Sequence, residues 1–449
     1  MSKQFDLIVI GTGPSGGDIA SKCSNSDLNV AIIDSRGYGG TCPLRGCNPK
    51  KVLTSATNII DQNARMQGNG LETSSKINWQ DLIAFKRNFT EPVPEAKEKS
   101  LKDAGVTTFH GEAQFIGEKE VQVGNDNLKA SKIIIATGAS PVSLPIEGEE
   151  HLTYSDEFLE LEELPERIIF VGGGYISFEF AHIAARSGSE VHIIQRGEQP
   201  LKGFDQDLVN KLVKKSTDIG VNVHLNASVK EIEKTADGYT VKADKNGEEV
   251  TWQGDIAVHG GGRAPEIDAL NLEKANVAYE KGGITVNEFM QNTSNPNIYA
   301  AGDVANTSGS PLTPVGHLEA EIVAENILQG NQKTADYTGV PSVVFTTPKL
   351  AAAGMSEEEA KESSLNVDIN YMDIADWFTY KHTNENIALV KIITDKDSDH
   401  IIGAHLLTGK ADELINYFAM AIQLKLTTAE LKKVTYAFPT AVSDIPSML

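Results

Sequence analysis

A short apolar segment that runs into a glycine-rich turn occurs twice in this chain, and it limits the fold more than any other feature. The first copy is Phe5–Ile10 followed by Gly11-Thr12-Gly13-Pro14-Ser15-Gly16; a helical stretch then leads to Val30–Ile33 and Asp34. Strand, glycine turn, helix, strand and acid in this order over about thirty residues are typical of a mononucleotide-binding βαβ unit. We therefore predict a parallel sheet with a dinucleotide at the turn.

Each small residue of this turn has a predicted role. Gly11 permits the tight turn, Gly13 lets the backbone approach a pyrophosphate, and Gly16 lets the helix pack closely on the strand. Asp34 lies at a strand end, where a carboxylate accepts hydrogen bonds from an adenosine ribose. The alternative is a tight turn without a ligand, but the strand, the helix and the distal acid all favour the nucleotide site.

The second copy begins with Arg167–Val171, continues through Gly172-Gly173-Gly174-Tyr175-Ile176-Ser177 into a helix to about Ser187, and ends with the strand Val191–Ile194. No acid follows this strand. It ends in Gln195-Arg196, with Lys202 six residues beyond Arg196. A neutral amide followed by cations suits the 2′-phosphate of NADP, so we expect NADPH rather than NADH, unless Arg196 and Lys202 are only solvated surface charges.

The sequence after about residue 338 has a different pattern. Strands are predicted at Val340–Thr346 and Ala388–Ile393, and amphipathic helices at 357–362 and 412–423. This stretch of about 110 residues is long enough to fold as its own α+β domain. The fold class predicted for the whole chain is therefore α/β, with two Rossmann-like dinucleotide-binding domains and a C-terminal α+β domain.

Cys42 and Cys47 lie five residues apart in a chain that has only three cysteines. On a regular helix their side chains would diverge by about 140°, so a contact between them needs a distorted turn. Pro43 and Gly46 lie between them and favour such a turn. The third cysteine, Cys23, is interpreted as a packing residue on the first helix.

The chemistry of this cysteine pair has three possible readings. Zinc requires about four ligands, and no His or further Cys is close in sequence. Two inert buried thiols are the second possibility. A redox-active pair is favoured because Arg45, Lys50 and Lys51 add positive charge, which is expected to lower the thiol pKa.

The overall charge restricts the partners. The chain has 40 Lys and Arg against 62 Asp and Glu, a net charge of −22. Such a chain repels nucleic-acid phosphates and anionic lipid surfaces, and it contains no block of like basic charges. The apolar segment at Leu7–Gly11 is too short for a signal peptide, and no segment is long enough to span a membrane. We expect a cytoplasmic protein that binds neither nucleic acid nor membranes.

Taken together, these motifs resemble the flavoprotein disulfide reductases, the pyridine nucleotide-disulfide oxidoreductases that include glutathione reductase, dihydrolipoamide dehydrogenase and mercuric reductase. The resemblance covers essentially the whole chain, and the Cys-x₄-Cys followed by Asn-Pro-Lys-Lys is its most specific element. It implies a homodimeric enzyme with FAD on the first fold and the nicotinamide cofactor on the second. The domains it implies are a FAD-binding domain in two parts, 1–145 and 268–337, an NAD(P)-binding domain, 146–267, and a dimerisation domain, 338–449.

The resemblance also assigns roles to single residues. Cys42 is implied to attack the substrate, and Cys47 to contact the flavin. Lys50 and Glu179 are implied to pair beside the flavin, and Tyr175 to cover the nicotinamide pocket. The remaining implied cofactor-binding residues are Pro14, Ser15, Thr41, Thr137, Gly138, Ile176, Gly262, Arg263, Gly302, Asp303 and Thr313.

One element of the family pattern is missing. The family usually has His-Pro-Thr near its C-terminus and a Glu five residues after the His, where this chain has Phe438 and Ser443. Phe cannot transfer a proton, so a general acid that contributes roughly 10² to 10⁴ in rate is absent. Tyr436 or Asp444 could supply the proton, or the leaving group could depart unprotonated, or the acceptor could be no ordinary disulfide. Tyr436 and Phe438 could also simply pack a dimer interface.

The predicted function is transfer of electrons from NADPH through flavin and a Cys42-Cys47 disulfide to a small-molecule disulfide or another thiol-reactive oxidant. Two alternatives stay open. The same flavin or dithiol could reduce quinones or metal ions, or the chain could be a redox sensor or docked component without significant turnover.

Overall fold

The structure, a computed structural model, describes residues 2–449. The strands are β1 (Lys3–Ile10), β2 (Val30–Asp34), β3 (Thr107–His110), β4 (Ala113–Gly117), β5 (Glu120–Val123), β6 (Asp126–Ile135), β7 (Ala139–Pro141), β8 (Leu152–Thr153), β9 (Arg167–Val171), β10 (Glu190–Ile194), β11 (Val221–His224), β12 (Ala227–Thr235), β13 (Gly238–Lys245), β14 (Glu248–Gly254), β15 (Ile256–His259), β16 (Arg263–Pro265), β17 (Tyr279–Glu280), β18 (Gly283–Thr285), β19 (Ile298–Ala300), β20 (Ala305–Asn306), β21 (Ser342–Val344), β22 (Lys349–Gly354), β23 (Val367–Asp373), β24 (Leu389–Asp395) and β25 (His400–Thr408).

The helices are α1 (Pro14–Ser24), α2 (Thr41–Arg45), α3 (Cys47–Met66), α4 (Trp79–Thr90), α5 (Val93–Asp103), α6 (Ser155–Phe158), α7 (Tyr175–Ser187), α8 (Gln206–Asp218), α9 (Thr313–Gln329), α10 (Glu357–Glu362), α11 (Phe378–Lys381), α12 (Ala411–Gln423), α13 (Thr428–Leu431) and α14 (Ile445–Met448). Short 3₁₀ turns lie at Glu149–His151, Asp268–Leu270, Leu272–Ala275 and Ala441–Asp444. Within the described residues, no helix is both long and apolar enough to cross a membrane.

The chain divides into two compact units. The first contains the described residues up to Pro49, together with Phe85–Val142 and Arg263–Tyr337. The second contains Lys50–Ala84, Ser143–Gly262 and Thr338–Leu449.

A seven-stranded sheet forms the centre of the first unit. Its strand order is β3-β2-β1-β6-β5-β4, and β19 pairs with the end of β6. The strands β3, β2, β1, β6 and β19 are parallel, and β5 and β4 add antiparallel pairs. The apolar segments predicted as strands are buried in this sheet, as parallel sheets covered on both faces require. The parallel order places the ends of β1 and β6 at the same edge as the first glycine turn.

The second unit contains three separate sheets, of which the smallest is the three-stranded antiparallel sheet β12-β13-β14. The five-stranded parallel sheet β11-β10-β9-β15-β8 carries the second glycine turn at the end of β9. The five-stranded antiparallel sheet β21-β22-β25-β24-β23 lies in residues 338–449, and α12 packs on it through a buried apolar face. The α/β class with a C-terminal α+β part is therefore as predicted.

Candidate active site

The first glycine turn is held by steric contacts that only glycine allows. Gly11 has φ +106°, and a Cβ there would lie 2.2 Å from the carbonyl oxygen of Ala136. Helix α1 begins directly after Gly13, its N-cap, and no side chain caps it. A Cβ on Gly13 would lie 3.9 Å from the Cα of Gly40, an ordinary contact distance. Backbone N–H groups at an uncapped helix N-terminus can bind an anion.

Asp34 supports this turn in a way that the sequence did not suggest. One carboxylate oxygen accepts hydrogen bonds from the backbone N–H of Thr12 (2.9 Å) and from its hydroxyl (2.6 Å), and the other accepts from the N–H of Arg36 (2.9 Å). The carboxylate thus holds the glycine turn against the end of β2. Its predicted role toward a ribose stays a prediction.

The second glycine turn repeats this arrangement with different residues. Gly172 has φ +112°, and a Cβ there would lie 2.2 Å from the carbonyl oxygen of Gly260. Gly174 is the N-cap of α7, and no side chain caps that helix either. The side-chain oxygen of Gln195 accepts the N–H of Gly173 at 2.9 Å, as Asp34 does for Thr12. The neutral amide of Gln195 therefore supports the second turn in the way that the charged carboxylate of Asp34 supports the first.

The residues predicted to select the nicotinamide cofactor are accessible. Arg196 and Lys202 are both exposed in the loop between β10 and α8. Tyr175, the first residue of α7, is half exposed, and Ile176 after it packs partly against the apolar core. Both cations are therefore free to meet a phosphate group in solution.

The break predicted between the two cysteines is present. Helix α2 ends at Arg45, Gly46 has φ −140° and ψ −110°, and α3 begins at Cys47. The Cys42 thiol consequently shares a hydrogen bond with Cys47. Cys42 is partly buried and Cys47 is exposed, whereas Cys23 lies wholly in the core, which confirms its interpretation as a packing residue.

Thr313 completes the thiol site. It is the first residue of α9, and its hydroxyl lies 3.6 Å from the Cys47 sulfur. It also hydrogen-bonds to Cys42. Thr41, the first residue of α2, directly precedes Cys42. Thr313, expected near a cofactor, is thus in direct contact with the thiols.

The prediction that nearby cations lower the pKa of the thiols was wrong for Cys42. Its pKa is raised, first because it shares a hydrogen bond with Cys47, then because of burial and because of charge on Cys47; the bond with Thr313 opposes this only in part. Lys50 and Lys51 are each bound to a carboxylate, of Glu179 and Asp412 respectively, which compensates their charge. The Cys42 thiol therefore holds its proton more tightly than a free thiol does.

Lys50 and Glu179 form the predicted ion pair. Lys50 Nζ lies 2.8 Å from Glu179 Oε1, which also accepts the backbone N–H of Phe345 at 2.8 Å. The ammonium groups of Lys50 and Lys51 lie 4.3 and 4.0 Å from the centre of the Phe345 ring. Phe345 is a residue that sequence reasoning missed, because nothing in its local sequence indicates that a ring so far along the chain contacts both lysines.

The two predicted connecting motifs meet in a two-stranded sheet, β7 with β16. Thr137 donates its hydroxyl to the carbonyl of Glu266 at 2.7 Å, and the carbonyl of Gly138 accepts the N–H of Glu266 at 2.9 Å. The Arg263 guanidinium donates to the carbonyl of Ala139. Gly262 directly precedes this sheet with φ +116°.

Gly302 and Asp303 are supported by a residue that the sequence reasoning did not select. The buried carboxylate of Glu319 accepts the N–H of Gly302 at 2.7 Å, and also the hydroxyls of Thr307 (3.0 Å) and Tyr337 (2.7 Å). Burial raises the pKa of Glu319 and of Asp303, and the nearby Arg263 partly opposes this for Asp303. No local signal in the sequence distinguishes Glu319 from Glu321 and Glu325 on the same helix.

Of the two residues considered as replacements for the missing acid, Tyr436 is poorly placed, whereas burial raises the pKa of Asp444. The Tyr436 hydroxyl donates to the carbonyl of Leu431 (3.2 Å), and burial and Tyr417 raise its pKa, so it is a poorer acid than a free phenol. Ser443 donates its hydroxyl to the carbonyl of Thr440. Phe438 is 84% exposed. These contacts do not support Tyr436 as the proton donor.

The comparisons with known proteins agree with this arrangement. Residues 5–321 match the pyridine nucleotide-disulphide oxidoreductase family, and residues 340–448 match the dimerisation domain of that family. This chain is a member of the pyridine nucleotide-disulphide oxidoreductase family.

Relatives from this oxidoreductase family cover nearly the whole chain, and an uncharacterized protein matches part of it. A glutathione reductase of Burkholderia cepacia is 32% identical over 99% of this chain and 98% of its own. A mercuric reductase of Staphylococcus aureus is 32% identical over 95% of this chain and 78% of its own. An uncharacterized 19.7 kDa protein in a mercuric resistance operon of Staphylococcus aureus is 54% identical over 40% of this chain and 100% of its own.

Among solved structures, a Cu(II) complex of the HOCl-induced flavoprotein disulfide reductase RclA from Escherichia coli resembles this chain with a TM-score of 0.88. It is 28% identical and covers 99% of both chains. Members of the family are enzymes that use FAD and NAD(P)H. The N-terminus of α1, which no side chain caps, fits the pyrophosphate of FAD.

Proposed function

We propose that this oxidoreductase transfers electrons from NADPH through FAD and a Cys42-Cys47 disulfide to a small disulfide or another thiol-reactive oxidant. The observation that supports it most is the break at Gly46, which brings two thiols that a continuous helix would separate into hydrogen-bond contact.

We assign the parts of the chain as follows. Residues 1–145 and 268–337 would bind FAD, and residues 146–267 would bind NADPH. The FAD-binding set in the first two ranges is Gly11, Gly13, Pro14, Ser15, Gly16, Asp34, Thr41, Lys50, Thr137, Gly138, Gly302, Asp303 and Thr313. The family resemblance also assigns Glu179, Gly262 and Arg263 of the third range to FAD. The NADPH-binding set is Gly172, Gly174, Tyr175, Ile176, Arg196 and Lys202.

Bound FAD would accept a hydride from NADPH and deliver the electron pair to the disulfide. The Cys42 thiolate would then attack one sulfur of the substrate disulfide, and the bond to the other sulfur would break, releasing a thiolate. Cys47 would attack the Cys42 sulfur next, which restores the Cys42-Cys47 disulfide and releases the second thiol. Two electrons leave NADPH and two reduce the substrate.

The kind of substrate follows from the C-terminal segment. Phe438 occupies the position of the family's general acid, and the Tyr436 hydroxyl is bound to a backbone carbonyl. A leaving group with an ordinary thiol pKa would depart slowly without a proton. We therefore propose a substrate whose leaving group is a stable anion at neutral pH. Ordinary alkyl disulfides do not have such a leaving group.

We further propose that residues 338–449 form a homodimer. They match a dimerisation domain, and they leave four apolar side chains partly or largely exposed: Tyr417 and Met420 of α12, Leu424 directly after it, and Phe438. An enzyme that draws on NADPH is also suited to the cytoplasm that the sequence predicts. A molar mass of twice that of the chain in size-exclusion chromatography with light scattering would support the dimer, and a monomer mass would contradict it.

The decisive experiment follows the purified enzyme under anaerobic conditions. NADPH should bleach the flavin absorbance and give a long-wavelength band, and acceptors are then added one class at a time: disulfides, inorganic thiol oxidants, quinones and metal ions. Rapid reoxidation by oxidants with good leaving groups supports the proposal. Full turnover of Cys42→Ser with those oxidants, or purified protein without flavin, would contradict it.

Reduction of metal ions is a second candidate. Relatives named mercuric reductase are 32% and 31% identical, and the structural neighbour RclA was solved as a Cu(II) complex. Hg²⁺ and Cu²⁺ therefore belong in the acceptor panel. Reoxidation by these ions alone would favour this candidate over disulfide reduction.

A further inference from the structure

The loop that carries Arg196 and Lys202 is fixed at its first end by the second glycine turn. Gln195 accepts the N–H of Gly173 (2.9 Å), and the N–H of Leu201 donates to the carbonyl of Gly173 (2.9 Å). Leu201 is buried although it has φ +47°. The backbone at this end therefore has little freedom.

The other end of the loop is fixed by Asp205. This residue is the N-cap of α8, where one carboxylate oxygen accepts the N–H of Leu208 at 3.2 Å. Its second oxygen accepts a hydrogen bond from Lys391 Nζ at 2.6 Å. Lys391 belongs to β24, far along the chain, and is only 2% exposed.

Lys391 holds two further carboxylates. Its ammonium lies 2.7 Å from Asp207 in the first turn of α8 and also contacts Glu357 of α10. One oxygen from each of Asp205, Asp207 and Glu357 lies within 4.8 Å of the others. The cation that such a cluster requires is thus the ammonium of Lys391 itself. Without it, three acids would repel one another at the end of the loop.

The contact of Lys391 with Asp205 matters for cofactor selection because a 2′-phosphate needs cations at a fixed spacing. Arg196 and Lys202 are long, exposed side chains, so only the backbone that carries them can define that spacing. We propose that Lys391 is a positioning residue for NADP recognition: through Asp205 it fixes the loop that presents Arg196 and Lys202 to the 2′-phosphate. The proposal rests on the NADPH binding proposed above for these two residues.

The test compares Lys391→Met with the wild-type holoenzyme in calorimetric titrations of NADP⁺ and NAD⁺. NAD⁺ lacks the 2′-phosphate, so a positioning role predicts about a tenfold rise in the Kd of NADP⁺ and less than a twofold change for NAD⁺. Lys391→Arg, which keeps the charge, should restore most of the NADP⁺ affinity. The matched control is Lys349→Met, which breaks the ion pair with Asp412 inside residues 338–449 and should leave the ratio of the two affinities unchanged.

Should Lys391→Met fail to fold, Asp205→Asn serves instead, because Asn retains the helix cap while losing the charge that binds Lys391. About a threefold selective loss of NADP⁺ affinity is then expected. Equal weakening of both nucleotides, or no change in either, would overturn the positioning role. A wild-type enzyme that binds NADP⁺ no better than NAD⁺ would instead overturn the proposed NADPH function and this inference with it.

Discussion

The ammonium of Lys50 and the carboxylate of Glu179 lie 2.8 Å apart, with both side chains largely removed from solvent. Glu179 also holds the backbone of Phe345, whose ring lies against Lys50. The positive charge of the partly buried Lys50 ammonium is thus compensated by one carboxylate and one aromatic ring. Lys50 lies in α3, three residues after Cys47.

We expect Glu179→Gln to slow flavin reduction by NADPH by about tenfold or more, because the neutral amide no longer compensates the Lys50 charge. Rapid mixing under anaerobic conditions measures this rate. Lys51→Met is the control, since that neighbouring lysine contacts the same ring but pairs with Asp412. Equal rates in Glu179→Gln and wild type would contradict a role for the ion pair.

Glu319→Gln should weaken flavin retention by about tenfold. The carboxylate accepts three hydrogen bonds, and an amide would turn its NH₂ group toward at least one of the three donors. Release of flavin fluorescence at low urea concentration reports retention. The control is Glu321→Gln on the same helix, an exposed acid bound to Lys22. Identical flavin release in both variants would show that Glu319 does not support the Gly302 turn.

Arg196→Glu should lower the ratio of NADPH to NADH catalytic efficiency by at least about tenfold, because a carboxylate repels the 2′-phosphate and accepts from a ribose hydroxyl. Steady-state kinetics with both nucleotides measure the ratio. Lys211→Glu, an exposed charge reversal on α8, is the control for general electrostatics. An unchanged ratio would mean that Arg196 does not contact the nucleotide.

Phe438→His combined with Ser443→Glu should increase turnover with glutathione disulfide, by up to about a hundredfold, because the pair would restore the usual proton donor. Flavin reduction by NADPH should stay unchanged, which serves as the internal control. No gain with glutathione disulfide would mean that something other than the missing acid excludes ordinary disulfides.

The stability of the protein should fall as the pH drops below about 6.5. Burial, His192 and Lys245 lower the pKa of His224 to about 4, whereas in the unfolded chain it is near 6.5. Between these values the unfolded chain binds the extra proton, so lower pH favours unfolding. His224→Gln should remove part of the loss, no more than about 1 kcal/mol at pH 5.5 for a half-buried ring. Urea unfolding at pH 7.5 and 5.5 checks this, with exposed His382→Gln as the control; equal pH dependence in wild type and His224→Gln would refute it.

Much of the architecture could be read from local patterns. The glycine turns, the apolar strands around them and the break between Cys42 and Cys47 depend on residues within about thirty positions of one another, and local geometry limits them strongly. The helix from Tyr175 to Ser187 ends where the pattern predicted, and Gly46 interrupts the helix as the spacing of the cysteines requires.

The sequence by itself determined the two nucleotide folds, the dithiol and the absence of the usual acid at Phe438. The Lys50–Glu179 ion pair was expected from the family resemblance, but the tertiary structure alone decided the other contacts of the buried charges. Three such contacts join residues that lie 17 to 295 positions apart in the chain: Phe345 with Lys50, Glu319 with Gly302, and Lys391 with Asp205. The physical reason is that a buried charge must pair with a group that the packing brings near it. No periodicity or local motif in the sequence indicates which group that is.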